Sequence, residues 1–230
     1  TNNMIFSYPG YNEILTGNAD PTIKSNAKIY NKNVTVLEKL NQTNNYKNKI
    51  AAFASWDVFP YIINDKRSGI PVNAGYMEEL NIKTPVVDYI NKNQKRTPII
   101  WENVRLDVYT HNLALEYIKK KRPKLVYIAY GETDDFAHGG KYDFYINSLN
   151  YTDNMIAELW GYVQSNKFYK DNTYFIITTD HGRGLMEDWA GHGTSKASWL
   201  AILGPNIEKT GLVEGEFFTN QIAETIMQIS

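Results

Sequence analysis

Three of the four histidines of this 230-residue chain lie in short polar clusters next to apolar runs. The run Lys124 to Tyr130 leads into Gly131-Glu132-Thr133-Asp134-Asp135-Phe136-Ala137-His138. The run Thr173 to Thr179 leads into Asp180-His181-Gly182, and Gly191-His192-Gly193 comes shortly before the apolar run Trp199 to Leu203. Carboxylates and imidazoles delivered at the ends of buried strands are the raw material of a metal site. The chain has no cysteine. Thiolate ligands, disulfides and a cysteine nucleophile are therefore excluded, and any cation must be held by oxygen and imidazole nitrogen.

Each cluster has a plain reading beside the chemical one. Asp134 and His138 are four residues apart and share a face if the chain turns helically there. Asp135, three before His138, competes for the same role, and an acidic loop capping the next helix is the structural alternative. Asp180 and His181 reach one point if the chain turns sharply at Gly182; otherwise Asp180 is a helix cap. His192 has glycine on both sides, which lets a backbone approach a site closely, or else lies on a surface loop. His111 falls inside a predicted helix and reads as a structural or surface residue. Taken jointly, three histidines and two or three carboxylates fit two neighbouring divalent cations. Two such cations about 3.5–4 Å apart clamp the attacking and leaving oxygens of an in-line displacement at phosphorus. A nucleophile is available in Ser7-Tyr8-Pro9-Gly10, ahead of a predicted helix Tyr11 to Thr16 that Gly17 stops. Ser7 then sits at a helix N-terminus, where free N–H groups favour an anion, and an N-cap role is compatible with that.

The elements that would position these groups alternate in type. Lys49 to Ala54 reads as a strand, Val34 to Leu40 as a short helix and Val104 to Lys121 as a longer one. Lys141 to Val163 carries apolar residues at Tyr142, Tyr145, Leu149, Ile156, Leu159 and Val163, at helical spacing. The end of the chain predicts a helix with Thr219 as N-cap and a stripe of Ile222, Ile226 and Ile229. Helices alternating with apolar strands imply an α/β fold with a mainly parallel sheet covered on both faces. Ligands bind beyond the carboxyl ends of such strands, where all three clusters lie. Residues 1–230 read as a single domain, with a surface loop at 41–49 and an irregular insertion at 60–83. Substrate specificity is expected in that insertion and around Trp101 to Arg105. Hydrophobic residues make up 43% of the chain, charged ones 21%, and the net charge is −1. Nothing in that balance points to nucleic acid or an anionic membrane. The longest apolar runs, five to seven residues, fall far short of a membrane span.

The motifs together resemble the alkaline phosphatase-like superfamily, which includes phosphatases, nucleotide phosphodiesterases, sulfatases and cofactor-independent phosphoglycerate mutases. The family pattern of a nucleophile two residues before proline, then a helix ending in Thr-Gly, matches Ser7, Pro9, Thr16 and Gly17. Its Asp followed four residues later by His matches Asp134 and His138. Its Asp-His-Gly matches Asp180, His181 and Gly182, and its late His-Gly matches His192 and Gly193. The resemblance implies a three-layer α/β/α sandwich. It implies one metal on Asp134, His138 and His192, a second on Asp180 and His181, and Ser7 bridging as the nucleophile that takes up the phosphoryl group. The expected reaction is metal-dependent hydrolysis of a small-molecule phosphoric ester, with zinc as the expected metal and manganese as the alternative. A phosphomutase, a sulfatase-like enzyme, or an inactive anion- or glycan-binding module are the alternatives. Tyr11 stands where the sulfatase pattern has arginine, which argues against a sulfatase. Family members also carry an Asp ligand at the end of a first strand upstream of the nucleophile. No Asp precedes Asp20 here, so the expectation is that this strand and its ligand are missing and the second metal weakened. A periplasmic or secreted location is expected.

Overall fold

The computed structural model describes residues 6–192, 197–208 and 211–230; Gly193 of the late His-Gly pair lies outside the described residues. Helix α1 (Ser7–Thr16) begins earlier than the predicted Tyr11 and includes Ser7 in its first turn. It ends where Gly17 turns left-handed at φ 76° and returns its N–H to Glu13. Next come α2 (Val36–Asn41), capped by the Thr35 side chain on the Glu38 N–H, and β1 (Ile50–Ala54). The stretch 60–83, expected to be irregular, instead holds most of α3 (Phe59–Ile63), then α4 (Asp65–Ser68) and β2 (Val72–Ala74). Then follow α5 (Pro85–Asn93), α6 (Asp107–Lys121), β3 (Leu125–Ala129), α7 (Glu132–His138) and α8 (Tyr142–Ser165). The chain closes with β4 (Phe175–Thr178), a 3-10 turn (Met186–Ala190), β5 (Leu200–Leu203) and α9 (Gln221–Ile229).

The strands β2, β1 and β3 form a parallel sheet in that order, with Ala52 level with both Val72 and Tyr127. Strand β1 is buried along its whole length, and its two faces enter different cores. Ile50, Ala52 and Ala54 pack with α1, α2, α3 and α9 on one side. Ala51 and Phe53 pack with Val87, Ile90, Leu113 and Tyr117 of α5 and α6 on the other. This alternation is the two-residue period of a strand, and it makes the molecule a three-layer α/β/α sandwich. A third cluster joins Leu115 and Ile118 of α6 to Leu159 and Val163 of α8.

The remaining strands depart from the parallel expectation: β5 runs antiparallel to β4, with Phe175 level with Leu203. Among the described residues, β3 pairs only with β1 and β4 only with β5. The runs 124–131 and 172–180 line one cavity of about 1130 Å³. Leu149 and Ile156 of the α8 stripe point into it, while Tyr142 at the head of the stripe is largely exposed. Thr219 is not the cap of α9; its hydroxyl donates to Glu13 at 2.9 Å and ties the last helix to the first.

Candidate metal centre

The site is assembled from four segments that end at the same edge of the fold. The first is the start of α1. Glycine at position 10 is required there, because a Cβ would stand 2.4 Å from the main-chain oxygen of Asp180. The start of α1 is thereby pressed against the end of β4. Helix α7 supplies Asp134 and His138 one turn apart, with His138 Nε2 3.3 Å from Asp134 Oδ2. The turn after β4 supplies Asp180 and His181, and the segment after the 3-10 turn supplies His192.

These side chains converge. Asp134, His181 and His192 each place one ligand-capable atom within 4.8 Å of the others. Asp134 Oδ1 lies 3.7 Å from His181 Nε2 and 3.9 Å from His192 Nε2. His138 Nε2 is 3.0 Å from His192 Nε2, and His181 Nε2 is 3.4 Å from Asp180 Oδ2. Ser7 Oγ is 3.3 Å from His181 Nε2. All six residues singled out from the sequence therefore meet. Their grouping differs from the expected two sets, because Asp134 faces His181 as well as His138 and His192.

The donor chemistry fits a cation. His181 Nδ1 lies 3.0 Å from the main-chain oxygen of Gly182. A proton on Nδ1 donated to that oxygen leaves Nε2 as a lone pair. That lone pair faces carboxylate oxygens of Asp134 and Asp180, which repel it unless positive charge enters, while the Ser7 hydroxyl can donate to it. His138 and His192 bring their Nε2 atoms 3.0 Å apart, where one ring donates to the other or both lone pairs turn to a shared cation. Asp180 Oδ2 is buried and accepts no hydrogen bond. A buried carboxylate oxygen without a donor is costly unless it is protonated or bound to a cation.

The acidities follow from the same geometry. Burial pushes Asp180 up to about 6; the His181 charge opposes this, while Asp134 adds to it. Burial would raise Asp134 too, but the His138 hydrogen bond and the charges of Arg183 and His181 outweigh it and hold that carboxyl below its ordinary value. The hydrogen bond to Asp134 raises His138 against the effect of burial. Asp135, the sequence competitor, is pushed by burial and by Asp134 up to about 7.

Several functional neighbours were not singled out from the sequence. Arg183 forms an ion pair with Asp134 Oδ1 and donates to the Asp134 main-chain oxygen at 3.0 Å. Its other nitrogen donates to the carbonyls of Ala190 and Gly191, both at 3.3 Å, beside His192. The signal was present: an arginine between two glycines directly after Asp180-His181. Asn26, Lys28 and Trp56 line the cavity with Ser7 and Asp134, as do Asn103 and Val104 of the stretch Trp101 to Arg105 expected to set specificity, whereas no residue of 60–83 does. Arg105, at the end of that stretch, is fully buried, donating to Thr110, Asn73 and the Ala54 carbonyl. His111 is buried between Tyr130 and Glu158, away from the site.

A comparison with curated proteins gives no match. A comparison with protein-family models matches the metalloenzyme superfamily over residues 103–229, more than half of the chain. The matched span holds the Asp134, His138, Asp180, His181 and His192 positions; Ser7 lies ahead of it. The chain belongs to the metalloenzyme superfamily, within the alkaline phosphatase-like clan.

Proposed function

We propose that this protein is a metal-dependent hydrolase of phosphoric esters and that Ser7 is its nucleophile. The observation that carries the reading is the placement of Ser7 Oγ 3.3 Å from His181 Nε2, at the head of a helix and beside Asp134 and Asp180. Asp134, His138, His181, His192 and Asp180 would hold the cations, and an all-nitrogen-and-oxygen set suits zinc, with manganese as the alternative. When bound, the cations supply positive charge that acidifies a nearby hydroxyl and offsets charge on the phosphoryl oxygens.

The chain's own groups do the rest. The N-terminal end of α1 favours an anion next to Ser7. Asn26 accepts the Tyr8 N–H at 3.0 Å and so fixes the residue next to the nucleophile. Ser7 Oγ forms a bond to phosphorus as the bond to the leaving oxygen breaks, and the proton it sheds passes through solvent to that departing oxygen. Water then attacks the phosphoserine and releases phosphate. A phosphomutase would share the first half and pass the phosphoryl group to a second hydroxyl instead of water. The cavity between β3 and β4 is bounded by strand edges that pair with nothing among the described residues.

The test is Ser7→Ala assayed with an aryl phosphate, an aryl phosphodiester and an aryl sulfate in the presence of zinc. The reading expects hydrolysis of a phosphate substrate by the wild type and loss of about 10²-fold or more in the variant. Wild-type rates in the variant refute Ser7. Transfer to an added sugar hydroxyl in preference to water identifies a mutase.

A further inference from the structure

We propose that Asp107 is a positioning residue that caps helix α7 from outside and thereby sets where Asp134 and His138 stand. The proposal rests on the reading of those two residues as metal ligands.

Helix α7 has seven residues and no side-chain cap of its own, since its N-cap is Gly131. So short a helix does not hold its direction unaided. A local cap is also sterically barred: a Cβ at position 131 would stand 2.9 Å from Val104 Cγ1 and 3.4 Å from Ser55 Cβ. The cap comes instead from the first turn of α6. Asp107 Oδ1 accepts the Gly131 N–H at 2.7 Å, and Oδ2 accepts the Glu132 N–H at 3.0 Å. One carboxylate thus covers the positive end of the helix with both oxygens. The exchange is reciprocal, because Glu132 Oε1 accepts the Asp107 N–H at 2.7 Å. The two helix starts cap one another across the end of β3.

Asp107 is itself held. The Ser55 hydroxyl donates to Oδ1 at 2.5 Å and lies 2.8 Å from Thr110 Oγ1. Arg105 Nε donates to that same threonine at 3.0 Å, while its other nitrogens reach Asn73 Oδ1 and the Ala54 carbonyl. The chain of contacts therefore runs from the carboxyl ends of β1 and β2 to the first turn of α7, entirely through buried side chains. Asp134 is the third residue of that helix and His138 the last. A tilt at the capped end moves both.

The experiment is zinc calorimetry on the metal-free protein, with Asp107→Asn compared to wild type and to Leu113→Ala. Leu113→Ala is a buried control on the same helix, facing another core. Loss of a residue that orients a ligand costs about 10–100-fold in metal affinity. That loss is expected for Asp107→Asn, with the control staying within about twofold of wild type despite its lower melting temperature. Wild-type affinity in Asp107→Asn overturns the proposal. Should that variant fail to fold, Ser55→Ala keeps the carboxylate and removes its hydroxyl donor; a several-fold weakening supports the proposal and an unchanged affinity overturns it. If the wild type binds no zinc, the ligand reading falls by itself. Amide hydrogen exchange then decides the cap. Faster exchange across α7 in Asp107→Asn but not in Leu113→Ala upholds it, and unchanged exchange overturns it.

Discussion

A Cβ on Gly10 would stand 2.4 Å from the carbonyl oxygen of Asp180 and 3.4 Å from its Cβ. The helix that carries Ser7 and the turn that carries Asp180 and His181 are thus in backbone contact at a residue that has no side chain. Glycine inside a helix ordinarily costs about 0.5–1 kcal/mol relative to alanine. On propensity alone, Gly10→Ala would stabilise the protein. Here the methyl group meets main-chain atoms that cannot swing aside, and overpacking of that kind costs about 1–3 kcal/mol. Gly10→Ala is expected to lower stability in urea unfolding and to weaken zinc binding by pushing Ser7 and α1 away from β4. A gain in stability would show that the contact yields easily.

Metal should stabilise the fold through its ligands. A ligand that binds only the native state at about 100 times its Kd adds about 2.7 kcal/mol. Thermal unfolding of the wild type is expected to move up with zinc and return with a chelator. Asp134→Ala should abolish the response, because Asp134 Oδ1 faces His181, His192 and Arg183 together. An equal zinc shift in Asp134→Ala would remove Asp134 from the ligand set.

Stoichiometry probes the second cation. With Asp134, His138, His181 and His192 clustered and Asp180 Oδ2 still lacking a donor, residues 1–230 are expected to retain about one zinc per chain after dialysis. Two zincs retained per chain would mean that these residues hold both cations by themselves.

Much of this centre was legible in residue order, and the illegible part has physical causes. Asp134 and His138 share a face because helical period is local, and Asp180 with His181 follows a run whose apolarity marks it as a strand, although β4 is only half-buried. The sharing of Asp134 between His181 and His192 depends on how β3 stands relative to β4, which no local pattern encodes. The antiparallel direction of β5 is a tertiary choice of the same kind. Helices α3 and α4 and strand β2 are too short to show a period, so 60–83 read as irregular. Asp107 carries no local signal of its role, because its partners Gly131 and Glu132 lie at the start of the next helix across β3. Thr219 matched a cap by type, yet Glu13 of α1 claims its hydroxyl.

His111 gives a pH signature separate from the metal site. Its Nδ1 lies 2.9 Å from the Tyr130 hydroxyl and its Nε2 3.0 Å from Glu158 Oε2. Burial lowers its pKa below the ordinary 6.5, and the opposing pull of Glu158 does not restore it. The folded state therefore resists a proton that the unfolded chain accepts. The stabilisation from neutral His111 is fully present above pH 6.5 and is lost as pH falls through the lowered folded value. His111→Gln has no such proton. At pH 7.5 it should be the less stable protein by about 1 kcal/mol, for want of one hydrogen bond. From pH 7 to 5 the wild type should lose ground to it, with a slope of at most about 1.4 kcal/mol per pH unit for one proton. Urea unfolding of both proteins across that range reads the difference directly, and parallel curves would show that His111 takes up its proton equally in the folded and unfolded chain.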